Sequence, residues 1–324
     1  MIEKRIAFFW EGTTMSFMRY MTLYSFCKLN PDWEVILYLS EVSYSSPVKP
    51  WIDHNDQDCY NDISFNYFGR IHELPLNIKA WKPSDLFSDV LAPSHRSDIF
   101  QWEWLTENSG FYADMDIIFV KPMEDWYNKI KDYDIVIPNT NVKIEIKEEI
   151  KEEVKEERKE GEVWIPPRKR IISPSRKAGR KKPSKKTPDG MFSIGFIGSS
   201  GNQNDLFSDL YSHCKVHAIA ESYQSTGVMV LYKLLNNGGI EEIANKYPQY
   251  DTYNMEMDLV YPFGWEKKAA RFVECHKELP DITVGIHWYA GEARAQRANR
   301  ILNSMNIKKH HNTVCYFMNK IWSS

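Results

Sequence analysis

The sequence predicts an α/β fold built on a mostly parallel central sheet. Residues 5–10 (RIAFFW) and 34–39 (EVILYL) are short unbroken apolar runs, the pattern of strands buried on both faces. Between them, residues 16–29 place Met18, Met21, Tyr24 and Cys27 at three-residue steps, which suits an amphipathic helix. Strand, helix, strand in that order opens a parallel sheet.

The remaining elements follow along the chain. Gly12 and Thr13 break the first run, and Asn30-Pro31 ends the helix. Residues 40–80 are largely polar, with one short strand expected at 63–68. After Pro93, residues 94–108 read as a helix with Ser94 as N-cap, closed by Gly110. Residues 111–120 (FYADMDIIFV) read as one strand carrying two acids, Asp114 and Asp116. Pro122 starts a short helix, and 134–137 and 191–198 are further strands. Helices are expected at 204–220 and 224–237, the second ended by Gly238-Gly239. Residues 247–265, rich in Tyr, Pro and Trp, read as loop. Residues 283–289 (TVGIHWY) are a late strand, and the tail at 293–322 is expected to pack back on the body.

Composition bounds the class. The chain has 324 residues, 43% of them apolar, enough for a large core, and aromatics reach 14%. A net charge of -3 selects no partner by itself. Cys27, Cys59, Cys214, Cys275 and Cys315 are dispersed and odd in number, without metal-ligand spacing, which fits a reducing cytoplasm. The start reads as a first strand, not a signal peptide, and no stretch approaches a membrane span. The expectation is a cytoplasmic protein of one domain over 1–324, interrupted by a charged insertion at 143–187. Residues 143–160 are nearly all Lys and Glu, with Ile146, Ile150 and Val154 four apart, a solvated helix or helix-biased disorder. Residues 168–186 are basic without an acid and broken by Pro, Gly and Ser, a flexible arm. The leading reading of the arm is a solubilising loop. Binding of nucleic-acid phosphates or of an anionic membrane surface are its alternatives.

Chemistry concentrates at Asp114-Met115-Asp116. In a strand, residues two apart point to one face, and two buried acids on one face need a counter-charge. A divalent cation such as Mg²⁺ or Mn²⁺ supplies it and also holds phosphate oxygens. Acid-x-acid pairs are common, and many do no more than reach water.

The context of the pair is more specific. Ser97-Asp98, Ser109-Gly110 and Tyr112-Ala113-Asp114-Met115-Asp116 resemble the Ser-Asp helix, Gly-Gly turn and Tyr-x-Asp-x-Asp strand of DXD glycosyltransferases. That superfamily includes yeast-type α-mannosyltransferases, capsular polysaccharide transferases and clostridial glucosylating toxins. Phe8–Gly12, Asn30–Val35, Gly195–Ser199, Ser225-Thr226-Gly227 and Ile286-His287-Trp288 extend the resemblance over most of the chain outside the insertion. The resemblance implies a GT-A Rossmann-like nucleotide-sugar-binding fold. It implies a retaining, metal-dependent hexosyltransferase that uses a nucleotide-sugar, UDP-sugar first, and a glycan or other hydroxyl acceptor.

The roles carry over as what the resemblance implies. Asp116 binds the metal directly, and Asp114 binds the ribose or the metal through water. Asp98 holds donor-sugar hydroxyls, Trp10 stacks on the base, and Tyr112 and Trp288 belong to the donor-binding set. His287 lies near the diphosphate as a third metal ligand, or is an ordinary core histidine. Gln101 stands where the family usually has a donor-contacting Arg, with Arg96 as a partial substitute on another helix face. That departure keeps a catalytically inactive sugar-nucleotide-binding protein in view. If the basic arm matters, the acceptor is a hydroxylated base in DNA. Two acids alone also suit a phosphotransferase or nuclease, but no phosphate-cradling Gly-rich loop is present.

Overall fold

A computed structural model describes residues 1–41, 63–82, 91–140, 190–219 and 222–324. The insertion expected at 143–187, with its basic arm, lies outside the described residues. The elements are β1 (Arg5–Trp10), α1 (Phe17–Leu29), β2 (Glu34–Ser40), β3 (Asn77–Trp81), α2 (Pro93–Glu107), β4 (Gly110–Ala113), β5 (Ile117–Phe119), α3 (Glu124–Ile130), β6 (Ile135–Ile137) and β7 (Asn139–Thr140). Then come β8 (Met191–Phe192), β9 (Phe196–Ser199), α4 (Asp205–His217), α5 (Val228–Leu234), α6 (Ile240–Lys246), β10 (Thr252–Asn254), α7 (Lys268–Phe272), β11 (Gly285–His287), α8 (Ala293–Ile301) and α9 (Thr313–Ser323).

Seven strands form one sheet in the order β10-β6-β9-β4-β1-β2-β3. Only β9 runs against its neighbours; the other pairings are parallel. This is the mixed, mostly parallel α/β architecture the sequence predicts. The chain leaves β1 toward β2 and β3 on one side, then returns to β4 on the other. Such a reversal leaves a crevice outside the carboxyl ends of the strands, where ligands of open α/β sheets bind. Trp10 ends β1 and Asp114 follows β4, so both stand at that crevice.

Both faces of the sheet are covered. Along β1, Ile6, Phe8 and Trp10 enter one core with α1 and α9. Ala7 and Phe9 enter the other, with α2, α4 and α5. An unbroken apolar strand is what this requires.

Helix α1 is not amphipathic as its spacing suggested. Ten of its residues, Phe17 to Leu23 and Ser25 to Cys27, are buried, because β5 and the C-terminal α9 close over it. Trp322 of α9 packs on Phe17, Tyr20 and Tyr24 of α1. The helix's buried polar groups have partners: Thr22 donates to the Met115 carbonyl and Ser25 accepts from the Phe119 amide.

Other expectations are corrected. Residues 63–68 form no strand; a 3₁₀ turn spans Phe68–Glu73, and the edge strand comes later, at β3. The N-cap of α2 is Ala92, without a side-chain bond, because Pro93 already occupies the first turn. Residues 111–120 are two strands, and Asp114 to Asp116 form the turn between them. Residues 191–198 likewise split, into β8 and β9. Residues 247–265 contain β10, which pairs with β6 at the sheet edge. No helix among the described residues is long and apolar enough to cross a membrane.

Gly110 opens β4 at φ +137°, and a Cβ there would stand 2.6 Å from the Arg5 carbonyl oxygen. Gly110→Ala is therefore expected to lower stability by about 2–4 kcal/mol, read from chemical unfolding. An unchanged midpoint would show that β1 and β4 tolerate the displacement.

Candidate functional site

A cavity of about 540 Å³ opens at the carboxyl ends of β1 and β4. Among its wall residues are Trp10, Glu11, Arg19, Asp98, Asp114, Asp116, Gly195, Tyr261, His287 and Tyr289. Two pieces of chain bring acids and imidazole together: the β4–β5 turn carries Asp114 and Asp116, and β11 carries His287. The antiparallel register His287↔Ile117 fixes the histidine beside Asp116. The Trp288 amide donates to the Asp116 carbonyl at 2.9 Å, extending that pairing.

The resulting distances are short. His287 Nε2 lies 3.2 Å from Asp116 Oδ1 and 3.7 Å from Asp114 Oδ2. One ligand atom from each of the three groups lies within 4.8 Å of the others. The outer oxygens are held. Asp114 Oδ1 accepts from the Tyr112 hydroxyl at 2.9 Å, and Asp116 Oδ2 accepts from the Ala290 amide at 2.8 Å. That leaves one oxygen of each acid facing the histidine. Two carboxylates and an imidazole suit a divalent cation, and hydrogen bonds to the far oxygens are the usual support for such ligands.

Space for the cation also exists. A Cβ at Gly195 would stand 2.6 Å from Asp114 Oδ2 and 3.1 Å from His287 Nε2. Glycine keeps this volume open. The Tyr289 amide donates to His287 Nδ1 at 3.3 Å, so a neutral ring carries its proton on Nε2, toward the acids. Ligation through Nε2 would move that proton to Nδ1 and open the contact with Tyr289.

Asp98, on α2, forms the next part of the wall. Its Oδ2 accepts from the Thr226 hydroxyl at 3.0 Å. Burial first, and the charge of Asp114 second, push its carboxyl well above the usual carboxylate range. Gly227 lets the chain pass this acid, since a Cβ there would come within 2.8 Å of Oδ2. The wall carries four acids, Glu11, Asp98, Asp114 and Asp116, against Arg19 and His287. Arg96 Nη1 pairs with Glu11 at 2.7 Å, both side chains buried. Breaking such a pair costs about 3–5 kcal/mol, so Arg96 is committed to Glu11. The unmatched acids repel a bare diphosphate and favour one that arrives with a cation.

The other residues expected at the site divide. Trp10 lines the cavity but is 4% exposed. Its Nε1 donates to the Thr14 carbonyl, and the Arg19 guanidinium lies over its ring at 5.6 Å. Little of the ring remains for a base to stack on. Tyr112, Gln101 and Trp288 are outside the lining. Tyr112 orients Asp114. Gln101 Nε2 donates to the Ile194 carbonyl at 2.6 Å and so holds the chain that leads to Gly195. Trp288 is fully buried, under Arg19 at 5.0 Å. Arg19, Tyr261 and Tyr289 were not singled out from sequence. Tyr289 has one signal only afterwards visible, a φ of +54°, and Tyr261 none beyond its place in an aromatic loop.

Residues 16–136 match the family described as "Glycosyltransferase sugar-binding region containing DXD motif", and this segment contains Asp98, Asp114 and Asp116. The match gives this segment, and not the rest of the chain, as a sugar-binding region of that kind. No curated protein sequence matches it significantly. Among solved structures it is similar to the PaToxG glycosyltransferase, at 13% identity over 99% of this chain and 87% of that one, TM-score 0.39. It is similar to the glycosyltransferase GlyE of Streptococcus pneumoniae TIGR4, at 11% identity over 100% of this chain and 64% of that one, TM-score 0.46. It is also similar to an active-site mutant of LgtC, at 10% identity over 98% of this chain and 95% of that one, TM-score 0.41. The chain thus spans less than two thirds of GlyE. At these TM-scores the fold rests on the sheet topology above and not on the neighbours.

Two substitutions test the geometry. Gly195→Ala is expected to weaken Mn²⁺ binding about tenfold or more in calorimetry while the far-UV spectrum stays native; unchanged affinity would place the cation elsewhere. Asp98→Asn is expected to raise the melting temperature in EDTA. The sign follows from the raised pKa: the folded state prefers the protonated acid, so wild type loses stability as pH climbs from the unfolded value of about 3.9. The gain should grow as the pH rises above about 4. A gain independent of pH would contradict the burial of this acid.

Proposed function

We propose that the chain transfers a sugar from a nucleoside-diphosphate sugar to a hydroxyl acceptor, with Mn²⁺ or Mg²⁺ held by Asp114, Asp116 and His287. The observation that carries this reading is the meeting of these three groups in an open cavity at the sheet's switch point. The match to a DXD sugar-binding region supplies the reaction class. A bound cation would act as a Lewis acid on the charge that builds on the leaving diphosphate.

The chain's own residues do the rest. Asp116 and His287, both largely buried, present fixed donors, so little reorganisation accompanies binding. Asp114, half-buried and oriented by Tyr112, reaches toward the ribose or the cation's water shell. Asp98, aligned by Thr226, holds donor-sugar hydroxyls; with its pKa raised it can donate as well as accept. Developing positive charge on the sugar, of the oxocarbenium kind, is stabilised by the acid-rich wall. Trp10 and Glu11, at the end of β1, bound the side of the cavity assigned to the base. A UDP-sugar donor and retention of configuration rest on the sequence resemblance, and no covalent nucleophile is assigned.

The four cysteines among the described residues are free, which supports a reducing cytoplasm. The acid-lined cavity gives no support to a DNA acceptor. Gln101 turns inward to Ile194, so its identity does not argue for an inactive protein.

Incubation with UDP- and GDP-sugars plus Mn²⁺ is expected to release nucleoside diphosphate. EDTA or Asp116→Asn should reduce release at least about 100-fold. No release with any donor, with Asp116→Asn equal to wild type, would contradict the reading.

A further inference from the structure

Tyr261 is 4% exposed, yet it lines the cavity, and its hydroxyl oxygen faces the Gly195 backbone amide while its own proton has no acceptor. A buried hydroxyl proton without an acceptor is unfavourable unless a ligand completes it. Its position is fixed from several sides. The Tyr261 amide donates to the Met257 carbonyl at 2.8 Å, Pro262 follows, and the ring packs on His287 with centroids 5.1 Å apart. The hydroxyl lies 3.1 Å from the point where a Gly195 Cβ would stand. That same point is 2.6 Å from Asp114 Oδ2 and 3.1 Å from His287 Nε2. The phenol therefore opens on the small space that the two candidate metal ligands share.

We propose that Tyr261 is a further binding residue of this site, its hydroxyl donating a hydrogen bond to an oxygen of the nucleoside diphosphate held there. This rests on the function proposed above. The nearby carboxylates offer only acceptors, and their outer oxygens are already taken by Tyr112 and the Ala290 amide. A diphosphate oxygen needs a donor, and the Tyr261 hydroxyl is one with its proton uncommitted.

The test is Tyr261→Phe in the full chain, with UDP and GDP as probes in calorimetry at saturating Mn²⁺. Nucleotide affinity is expected to fall about tenfold or more, the effect of one hydrogen bond to a charged group. Mn²⁺ affinity without nucleotide should stay within about twofold, as expected when no ligand of the cation is touched. The ligand-free melting temperature should hold or rise, since a buried hydroxyl proton without an acceptor is removed. Equal nucleotide affinity in the two proteins overturns this inference alone. A parallel loss of Mn²⁺ affinity also overturns it, because the phenol would then be supporting His287. Wild-type protein that binds neither nucleotide overturns the inference together with the sugar-transfer reading.

Discussion

The antiparallel pairing of β5 with β11 sets two of the three candidate metal ligands, Asp116 and His287, side by side. It aligns His287 with Ile117, one residue beyond Asp116, and the Trp288 amide continues the pairing to the Asp116 carbonyl. Shifting that register by one residue would turn His287 to the opposite face. The pairing in turn depends on α1, whose Thr22 and Ser25 hydroxyls anchor the Met115 carbonyl and the Phe119 amide. A helix buried on nearly every side therefore uses its few polar groups to hold the turn that carries the acids.

A second set of contacts positions the opposite wall. Helix α2 presents Asp98 to the cavity. Two further residues on the same helix, Gln101 and Trp102, hold the carbonyls of Ile194 and Thr226. These bonds bring Gly195 and Gly227 against Asp114 and Asp98, where any larger residue would collide. The site is thus a meeting of two helices, one on each face of the sheet, at the point where strand order reverses. Each helix fixes one acid-bearing or glycine-bearing segment through buried hydrogen bonds.

Much of this was legible in the sequence, and the limits have physical causes. Strands β1 and β2 were visible because burial on both faces leaves an unbroken apolar run. The acids were visible through the spacing of Asp98, Asp114 and Asp116. Their local geometry was misread: apolar residues on both sides of Asp114 suggested one strand, while the chain turns at Met115-Asp116, just after the Asp114 amide makes its bond to the Gly195 carbonyl. Strand β3 was missed because it is an edge strand with a polar, exposed pattern. Strand β10 was missed because three residues at a sheet edge leave no periodicity. Gln101, Tyr112 and Trp288 stand behind the cavity wall, a placement that side-chain contacts decide and spacing does not. Tyr261 depends on a tertiary contact with a strand that lies further along the chain, so no local pattern marks it.

The claim on which the rest stands is that Asp114, Asp116 and His287 share one divalent cation. Pulsed electron paramagnetic resonance of Mn²⁺ added at one equivalent reads this directly, through coupling to the imidazole nitrogen. We expect one bound ion with a nitrogen signal in wild type, and loss of that signal in His287→Ala with the carboxylate-bound ion weakened. Bound Mn²⁺ without nitrogen coupling in wild type, or no bound ion at all, would contradict the shared site.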